Sequence, residues 1–290
     1  MTYDDYIRGD EAILGVAPTG YRYSTDVNES LPVAPDEVAE QVYESASFGA
    51  TLAHLHGRDA DGEPAPSRLS AFGSAVRDLC QDDVLVEYAV EPRCSPGDFL
   101  AILDEGPAPD LASVRVGPAQ YGYREASDTS RRDVDRFVEE LVTRGIKPNL
   151  LVTSGRDLQE VYRLREQSVL EDPPVLTLLF GAADGTVATP TNVLSLLDAV
   201  PDEAACFVRA TGPNQYPLTA VAFFLGAHPV VGMEDNLFVG PETPVERNAQ
   251  LVRQAAERTR YSLREVASPT VTRRLLGLPS VETEDNDIEV

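Results

Sequence analysis

Apolar residues along this chain gather in short runs, most of them closed by a glycine or a polar residue. Eight such runs predict β-strands: 11–19 (EAILGVAPT), 51–57 (TLAHLHG), 84–90 (VLVEYAV), 111–117 (LASVRVG), 147–154 (KPNLLVTS), 175–181 (VLTLLFG), 206–212 (CFVRATG) and 229–235 (PVVGMED). Several are apolar almost throughout rather than alternating, as expected of parallel strands covered on both faces. Between them lie stretches of helical period with recognisable ends. APDEVAEQVYESASFG offers Asp36 as a cap and Gly49 as a stop, and PSRLSAFGSAVRDLC follows with Ser67 near its start. TSRRDVDRFVEELVTRG runs from a Ser/Thr start to Gly145, and TPTNVLSLLDAV and TPVERNAQLVRQAAERT follow the sixth and eighth strands.

Strand–helix alternation repeated over about 250 residues predicts an α/β fold of the (β/α)8 TIM-barrel type. An open doubly wound sheet is the alternative, but no GxGxxG follows any strand. With no linker and no internal repeat, residues 1–279 read as one barrel domain. The acidic stretch SVETEDNDIEV (280–290) reads as a disordered tail.

Composition narrows the partners. Acidic residues outnumber basic ones 48 to 24, for a net charge of −24. Lysine occurs once, at Lys147, so no basic stripe exists to track phosphates and a nucleic-acid partner is not expected. Dispersed acidity with arginine in place of lysine suggests a halophile-like surface suited to a cytosol of high salt. No run approaches the roughly 20 apolar residues of a membrane span. The start MTYDDYIRGDE lacks the basic and apolar regions of a signal peptide, so a cytoplasmic location is expected and no membrane partner. Cys80, Cys94 and Cys206 are far apart and odd in number, which reads as free thiols in a reducing compartment.

The candidate chemistry begins with histidine. His54 and His56 stand at i and i+2 in LAHLHGRDADG, and the third histidine is His228. On a strand, i and i+2 share a face about 6 to 7 Å apart, close enough to grip one metal ion. Spacing alone leaves a solvated pair or two core histidines equally open. In a barrel the pair lies at the C-terminal end of the second strand, where the chemistry of such folds gathers. Glu234 and Asp235, in GMEDN, end the eighth strand, two places away around the closed barrel. His54, His56 and Glu234 would make a three-ligand zinc set with an open position. Asp235 could take a substrate proton, or orient a ligand, or pair with Arg58. His228 precedes the eighth strand, at the wrong end for the metal, and reads as structural. FGAADGT (180–186) could approach a phosphate or CoA, or be a plain turn.

HLHGRDADGEPA followed by GMEDNLFVGPETPVERNAQLVRQAAE resembles the β-keto acid cleavage enzymes, of the 3-keto-5-aminohexanoate cleavage type known from lysine degradation. The likeness extends from APTG (17–20) to REVASPTVTRRLLGL. It implies a zinc-dependent TIM barrel, an acyltransferase that condenses a β-keto acid with acetyl-CoA to give acetoacetate and a new CoA ester. It also implies zinc on His54, His56 and Glu234, and a homo-oligomer, a tetramer. Asp235 would match the family's acidic residue beside the metal-binding glutamate.

Parts of the family pattern are replaced. Tyr21 and Arg22 stand where an acid is expected after the TG turn, and Ala89 where the third strand carries serine. Pro213 takes the place of an arginine, and the fifth strand has no acid. Arg115 and Arg209, on the fourth and seventh strands, and Glu87, on the third, are inward candidates. Arg22, Arg115 or Arg209 could anchor a carboxylate in place of the missing arginine, or the latter two could pair with acids such as Glu87. Two other readings remain at this point: a metal-binding barrel with lost or altered activity, and a zinc hydrolase. The HxH pair of amidohydrolases, however, lies on the first strand, with a lysine and further histidines.

The charge pattern carries a direct expectation. The melting temperature should rise as KCl is raised from about 0.1 M to about 1 M, where the Debye length shortens from about 10 Å to about 3 Å. A scanning-fluorimetry series that is flat or falling would count against the high-salt reading.

Overall fold

A computed structural model describes residues 11–89, 94–116, 130–182 and 185–280. Eight parallel strands close into a barrel: β1 (Leu14–Val16), β2 (Ala50–Leu55), β3 (Leu85–Tyr88), β4 (Leu111–Arg115), β5 (Lys147–Val152), β6 (Val175–Phe180), β7 (Ala205–Ala210) and β8 (His228–Val231). β8 pairs with β1 through Gly15↔Val230 and Val16↔Val231, which seals the ring. The helices between strands are α1 (Pro35–Ala46), α2 (Leu69–Cys80), α3 (Pro96–Leu103), α4 (Arg131–Thr143), α5 (Gly155–Glu166), α6 (Pro190–Asp198) and α7 (Gln215–Phe224). α8 (Asn248–Ser262) and α9 (Pro269–Leu275) follow the last strand. The predicted TIM barrel is therefore the observed fold.

The two faces of each strand explain why the runs are so apolar. Outward residues such as Leu55, Val86, Val114, Val152, Leu178 and Val208 pack under the helices in the larger core. Inward residues Ile13, Leu52, Leu85, Leu111, Val175, Phe207 and Val230 meet inside the lower barrel, together with Ala267 and Leu276 from the C-terminal segment. Fully burying each such aliphatic side chain contributes roughly 1.5–3 kcal/mol, so this plug fixes the barrel floor. The floor is closed by a short parallel pairing of Glu11–Ala12 with Glu265–Val266. Thr51 and Thr272 bond through their hydroxyls at 2.8 Å beneath it.

Boundaries differ from the expectations in instructive ways. The 11–19 run splits, because Glu11 and Ala12 pair with the C-terminal segment and only Leu14–Val16 joins the barrel. The last run ends as a strand at Val231, so Glu234 and Asp235 lie beyond it in a turn. Gly232 makes that turn possible: a Cβ there would stand 2.0 Å from the Ala17 carbonyl oxygen. Asp36 is not the cap of α1. Ala34 holds that position, Pro35 opens the helix with a preset φ, and the Glu37 carboxylate accepts the Val33 and Ala34 N–H groups. Ser130 and Thr189 do cap α4 and α6. The pattern missed α3, α5, α7 and α9, as well as the hairpin Phe238–Gly240 with Thr243–Pro244. α7 (QYPLTAVAFF) has little polar face to reveal its period. The three cysteines are free and buried. The tail is largely outside the described residues, as is the middle of the 180–186 run. Among the described residues no helix is long and apolar enough to cross a membrane.

His228 opens β8 at the barrel floor, the end away from the mouth, and its Nδ1 accepts the Ile13 N–H at 3.2 Å. Arg264 lies beside it, donating to the Ala227 and Glu11 carbonyls, both at 2.7 Å. Burial, reinforced by Arg264, pushes the imidazole down to about 3. A free histidine in the unfolded chain titrates near 6.5, so the unfolded state takes up a proton first as pH falls. Stability linked to His228 is intact above about pH 6.5 and is lost between about 6.5 and about 3. The stability difference between wild type and His228→Asn, from urea titrations across that window, should shift by up to about 1.4 kcal/mol per pH unit. Parallel pH profiles for the two proteins would refute it.

Candidate active site

Above the apolar plug the inward side chains change character while keeping the same two-residue step. Leu52 is followed by His54 and His56, Leu85 by Glu87 and Ala89, and Leu111 by Ser113 and Arg115. Val175 is followed by Thr177, and Phe207 by Arg209. The register pairs His54 with Glu87 on neighbouring strands and Ser113 with Asn149. Each of these five strands thus contributes an apolar residue to the floor and at least one polar residue to the mouth. This is how a period of two writes a binding site on a packed barrel.

Arg209 stands at the centre of the polar layer. Its Nε donates to Asp235 Oδ2 at 2.9 Å, and Nη2 donates to Glu234 Oε1 at 2.5 Å. Its Nη1 lies 2.7 Å from His54 Nε2. A guanidinium can only donate, so His54 Nε2 accepts and its proton sits on Nδ1. That Nδ1 faces Glu87 Oε2 at 2.9 Å. Glu87 Oε1 in turn accepts Asn149 Nδ2 at 2.8 Å, and Asn149 Oδ1 accepts the Thr177 hydroxyl at 3.0 Å. The chain from Thr177 to His54 holds the imidazole with its lone pair aimed into the mouth, the tautomer a metal ligand needs.

Electrostatics follow from burial. Burial by itself would lower the Arg209 guanidinium, but Asp235 and Glu234 outweigh it and raise it further, so Arg209 remains charged. Burial also opposes ionisation of Glu234, yet the Arg209 guanidinium beside it holds its carboxyl well below the usual range. Asp235 is pushed up, by burial first and by the Glu234 charge, against the pull of Arg209.

His54, His56 and Glu234 each offer a ligand atom within 4.8 Å of the others, the one such His/Cys/Asp/Glu group found among the described residues. Glu234 Oε1 is engaged by Arg209 and lies 3.3 Å from His56 Nε2. Its Oε2 is buried with no hydrogen-bond partner among the described residues. A buried carboxylate oxygen left this way is costly, and two imidazoles beside it complete a nitrogen–nitrogen–oxygen donor set. These residues fit a divalent ion, which His54, His56 and Glu234 would hold.

The loops carrying these groups are pinned from outside the mouth. Asn248, at the start of α8, accepts the Met233 N–H at 2.8 Å and donates to Pro18 O at 3.1 Å and Gln41 Oε1 at 2.6 Å. Gly212 N–H donates to the Asp235 carbonyl at 2.7 Å, so the loop containing Pro213 braces the acidic pair. Arg58 does not pair with Asp235. It is buried and donates to the carbonyls of Gly20, Gly62 and Tyr23, the last at 2.7 Å. Neither Arg115 nor Arg209 has Glu87 as its hydrogen-bonding acid in this network. Arg115 donates to the Tyr21 hydroxyl at 3.3 Å, while Glu87 serves His54 and Asn149. Asn149, Asn248 and Gln41 escaped notice in the sequence. Asn149 was visible only as a polar residue at inward parity, and the other two had no local signal.

A closed barrel with this mouth defines a (β/α)8 protein whose C-terminal strand ends bring together a group of side chains that could hold a metal ion. The chain matches the family model for beta-keto acid cleavage enzyme over residues 11–278, and it belongs to that family. It is a divergent member. It is 26% identical over 277 residues to the 3-keto-5-aminohexanoate cleavage enzyme of Acetoanaerobium sticklandii, covering 93% of this chain and 99% of that one. It is 25% identical over 280 residues to the 3-oxoadipate:acetyl-CoA acetyltransferase of Cupriavidus necator, covering 93% and 96%. Among solved structures, ObcA in binary complex with oxaloacetate shares the fold, with a TM-score of 0.68 and 16% identity over 87% of this chain and 68% of that one.

Gly20 offers a local test of the ligand geometry. A Cβ at that position would stand 2.1 Å from Glu234 Cγ and 2.7 Å from its carboxyl carbon. Gly20→Ala should therefore displace the glutamate and weaken divalent-ion affinity by about 10- to 100-fold with the barrel still folded. Metal competition with a chromophoric chelator reads the affinity, and unchanged binding would show that Glu234 is not a ligand.

Proposed function

We propose that this protein is a zinc-dependent β-keto acid cleavage enzyme that condenses a β-keto acid with acetyl-CoA to give acetoacetate and a new CoA ester. The observation that carries the reading is the convergence of His54, His56 and Glu234 beside Asp235 at the barrel mouth. Membership of the family supports the general reaction. In this reading residues 1–279 act as one barrel domain of a cytoplasmic homo-oligomer.

The products set the chemical task. The bond between the α and β carbons of the keto acid must break, the acetyl group must join the α carbon, and the released acyl group must join the CoA sulfur. Zinc, when bound, supplies a Lewis acid with an open position for substrate oxygens. Asp235, the carboxylate next to the ligand Glu234, takes the proton from the carbon between ketone and carboxylate. Arg209 holds Asp235 in place through its Nε and keeps the neighbouring carboxylates from repelling each other apart. Glu87 fixes the His54 ring through its Oε2.

Two measurements test this function. The protein is expected to carry about one zinc per chain by elemental analysis, and His54→Ala or Glu234→Gln should lose it. With acetyl-CoA and a panel of β-keto acids at high salt, acetoacetate should form, and Asp235→Asn should lower kcat by about 100-fold or more with zinc still bound. Zinc-loaded protein silent on the whole panel would favour a binding role or another reaction, and folded protein without zinc affinity would remove the ligand assignment.

A further inference from the structure

Arg209 donates to the atom of His54 that a metal ion would need. Its Nη1 lies 2.7 Å from His54 Nε2, and an unprotonated imidazole nitrogen has one lone pair. That lone pair serves a guanidinium or a metal ion, never both. His54 has no second nitrogen to offer, because Nδ1 carries the ring proton and faces Glu87 Oε2 at 2.9 Å. The Glu87 carboxylate is held at its other oxygen by Asn149 Nδ2 at 2.8 Å, so the ring is kept in this tautomer.

The other contacts of Arg209 carry no such conflict. Glu234 gives Oε1 to Nη2 at 2.5 Å. It keeps Oε2, which is buried without a hydrogen-bond partner among the described residues and lies 3.8 Å from His54 Nε2. Asp235 is not one of the three ligand residues, and its Oδ2 meets Nε at 2.9 Å and Nη2 at 2.8 Å. Toward the acidic pair Arg209 can stay where it is, and toward His54 it must yield. A tilt of the planar fork about its Nε–Nη2 edge carries Nη1 off the imidazole with the Asp235 contacts kept.

Resting on the metal site of the function proposed above, we infer that Arg209 is a positioning residue that competes with the metal ion for His54. It assembles His54, Glu234 and Asp235 in advance, and it gives up its bond to His54 Nε2, but not its bonds to the acidic pair, when the ion is held. Two effects then set its influence on affinity. The hydrogen bond that must be broken is subtracted from the binding of the ion, and a guanidinium repels a second cation beside it. Removing Arg209 therefore weakens the fold and strengthens metal binding. A residue that only braced the ligands would do the opposite, since its loss would lower stability and affinity together.

Wild type and Arg209→Gln, each stripped of metal and titrated with zinc against a chromophoric chelator, test this. Arg209→Gln should bind zinc about 10-fold or more tightly than wild type. It should melt at a lower temperature without zinc, and saturating zinc should raise its melting temperature by more than that of wild type. Should Arg209→Gln not fold, Arg209→Lys takes its place with the same ordering expected, because an ammonium lacks the fork that reaches all three partners. Crystal structures of wild type with and without zinc read the exchange without any variant. Nη1 should leave hydrogen-bonding range of His54 Nε2 on zinc loading, while Nε stays on Asp235. Equal or weaker zinc binding by the Arg209 variant would overturn the inference, as would Nη1 still bonded to His54 Nε2 with zinc seated. Acetoacetate formation by zinc-loaded wild type would leave the parent function standing in both cases. Folded wild type that takes up no zinc would remove the ligand assignment, and this inference with it.

Discussion

A guanidinium buried among two carboxylates and an imidazole holds the mouth of this barrel together. Arg209 reaches from β7 to Asp235, Glu234 and His54, joining its strand to the acidic turn that follows β8 and to β2 on the other side of β1. Removed from water, Glu234 and Asp235 would repel strongly as neighbours, and desolvation alone would drive both toward their neutral forms. Arg209 reverses this for Glu234. Breaking such a buried set by removing one partner typically costs about 3–5 kcal/mol, because the charges left behind stay buried. The geometry of the ligand set is therefore inherited from an ion pair, and the ion pair depends on the barrel excluding water around it.

The exclusion of water comes from the layer below. Leu52, Leu85, Leu111, Val175, Phe207 and Val230 fill the lower barrel, and Ala267 and Leu276 of the C-terminal segment close it. A polar layer set on this floor has one open side, so every polar atom must be satisfied by a neighbour, a ligand or solvent at the mouth. The relay from Thr177 through Asn149 and Glu87 to His54 meets that demand with side chains. Glu234 Oε2 does not: among the described residues it is a buried acceptor without a hydrogen-bond partner, beside the imidazoles of His54 and His56.

Much of this was legible before any coordinates. The eight runs located every barrel strand, since parallel strands covered on both faces have nowhere to place polar residues except at their ends. His54, His56 and Glu234 emerged as a set because the closed order of strands brings the second and eighth near each other. Less legible were the elements lacking contrast: α7, which is apolar around much of its surface, and the helix start at Pro35, where a proline and the Glu37 carboxylate do what Asp36 was expected to do. Arg58, one of the partners the sequence allowed for Asp235, instead clamps three backbone carbonyls, a partnership no pattern of spacing encodes.

The sequence by itself determined the fold class, the number and order of the barrel strands and the residue types available at the mouth, because burial on two faces and a period of two are local properties of the chain. The tertiary structure alone decided who pairs with whom: Arg209 with the acidic turn, Glu87 with His54 and Asn149, Arg115 with Tyr21. These partners are separated by tens of residues or more and are brought within 3.3 Å only when the ring of strands closes. Charge attraction acts over distance in space, and the chain specifies that distance only after it has folded.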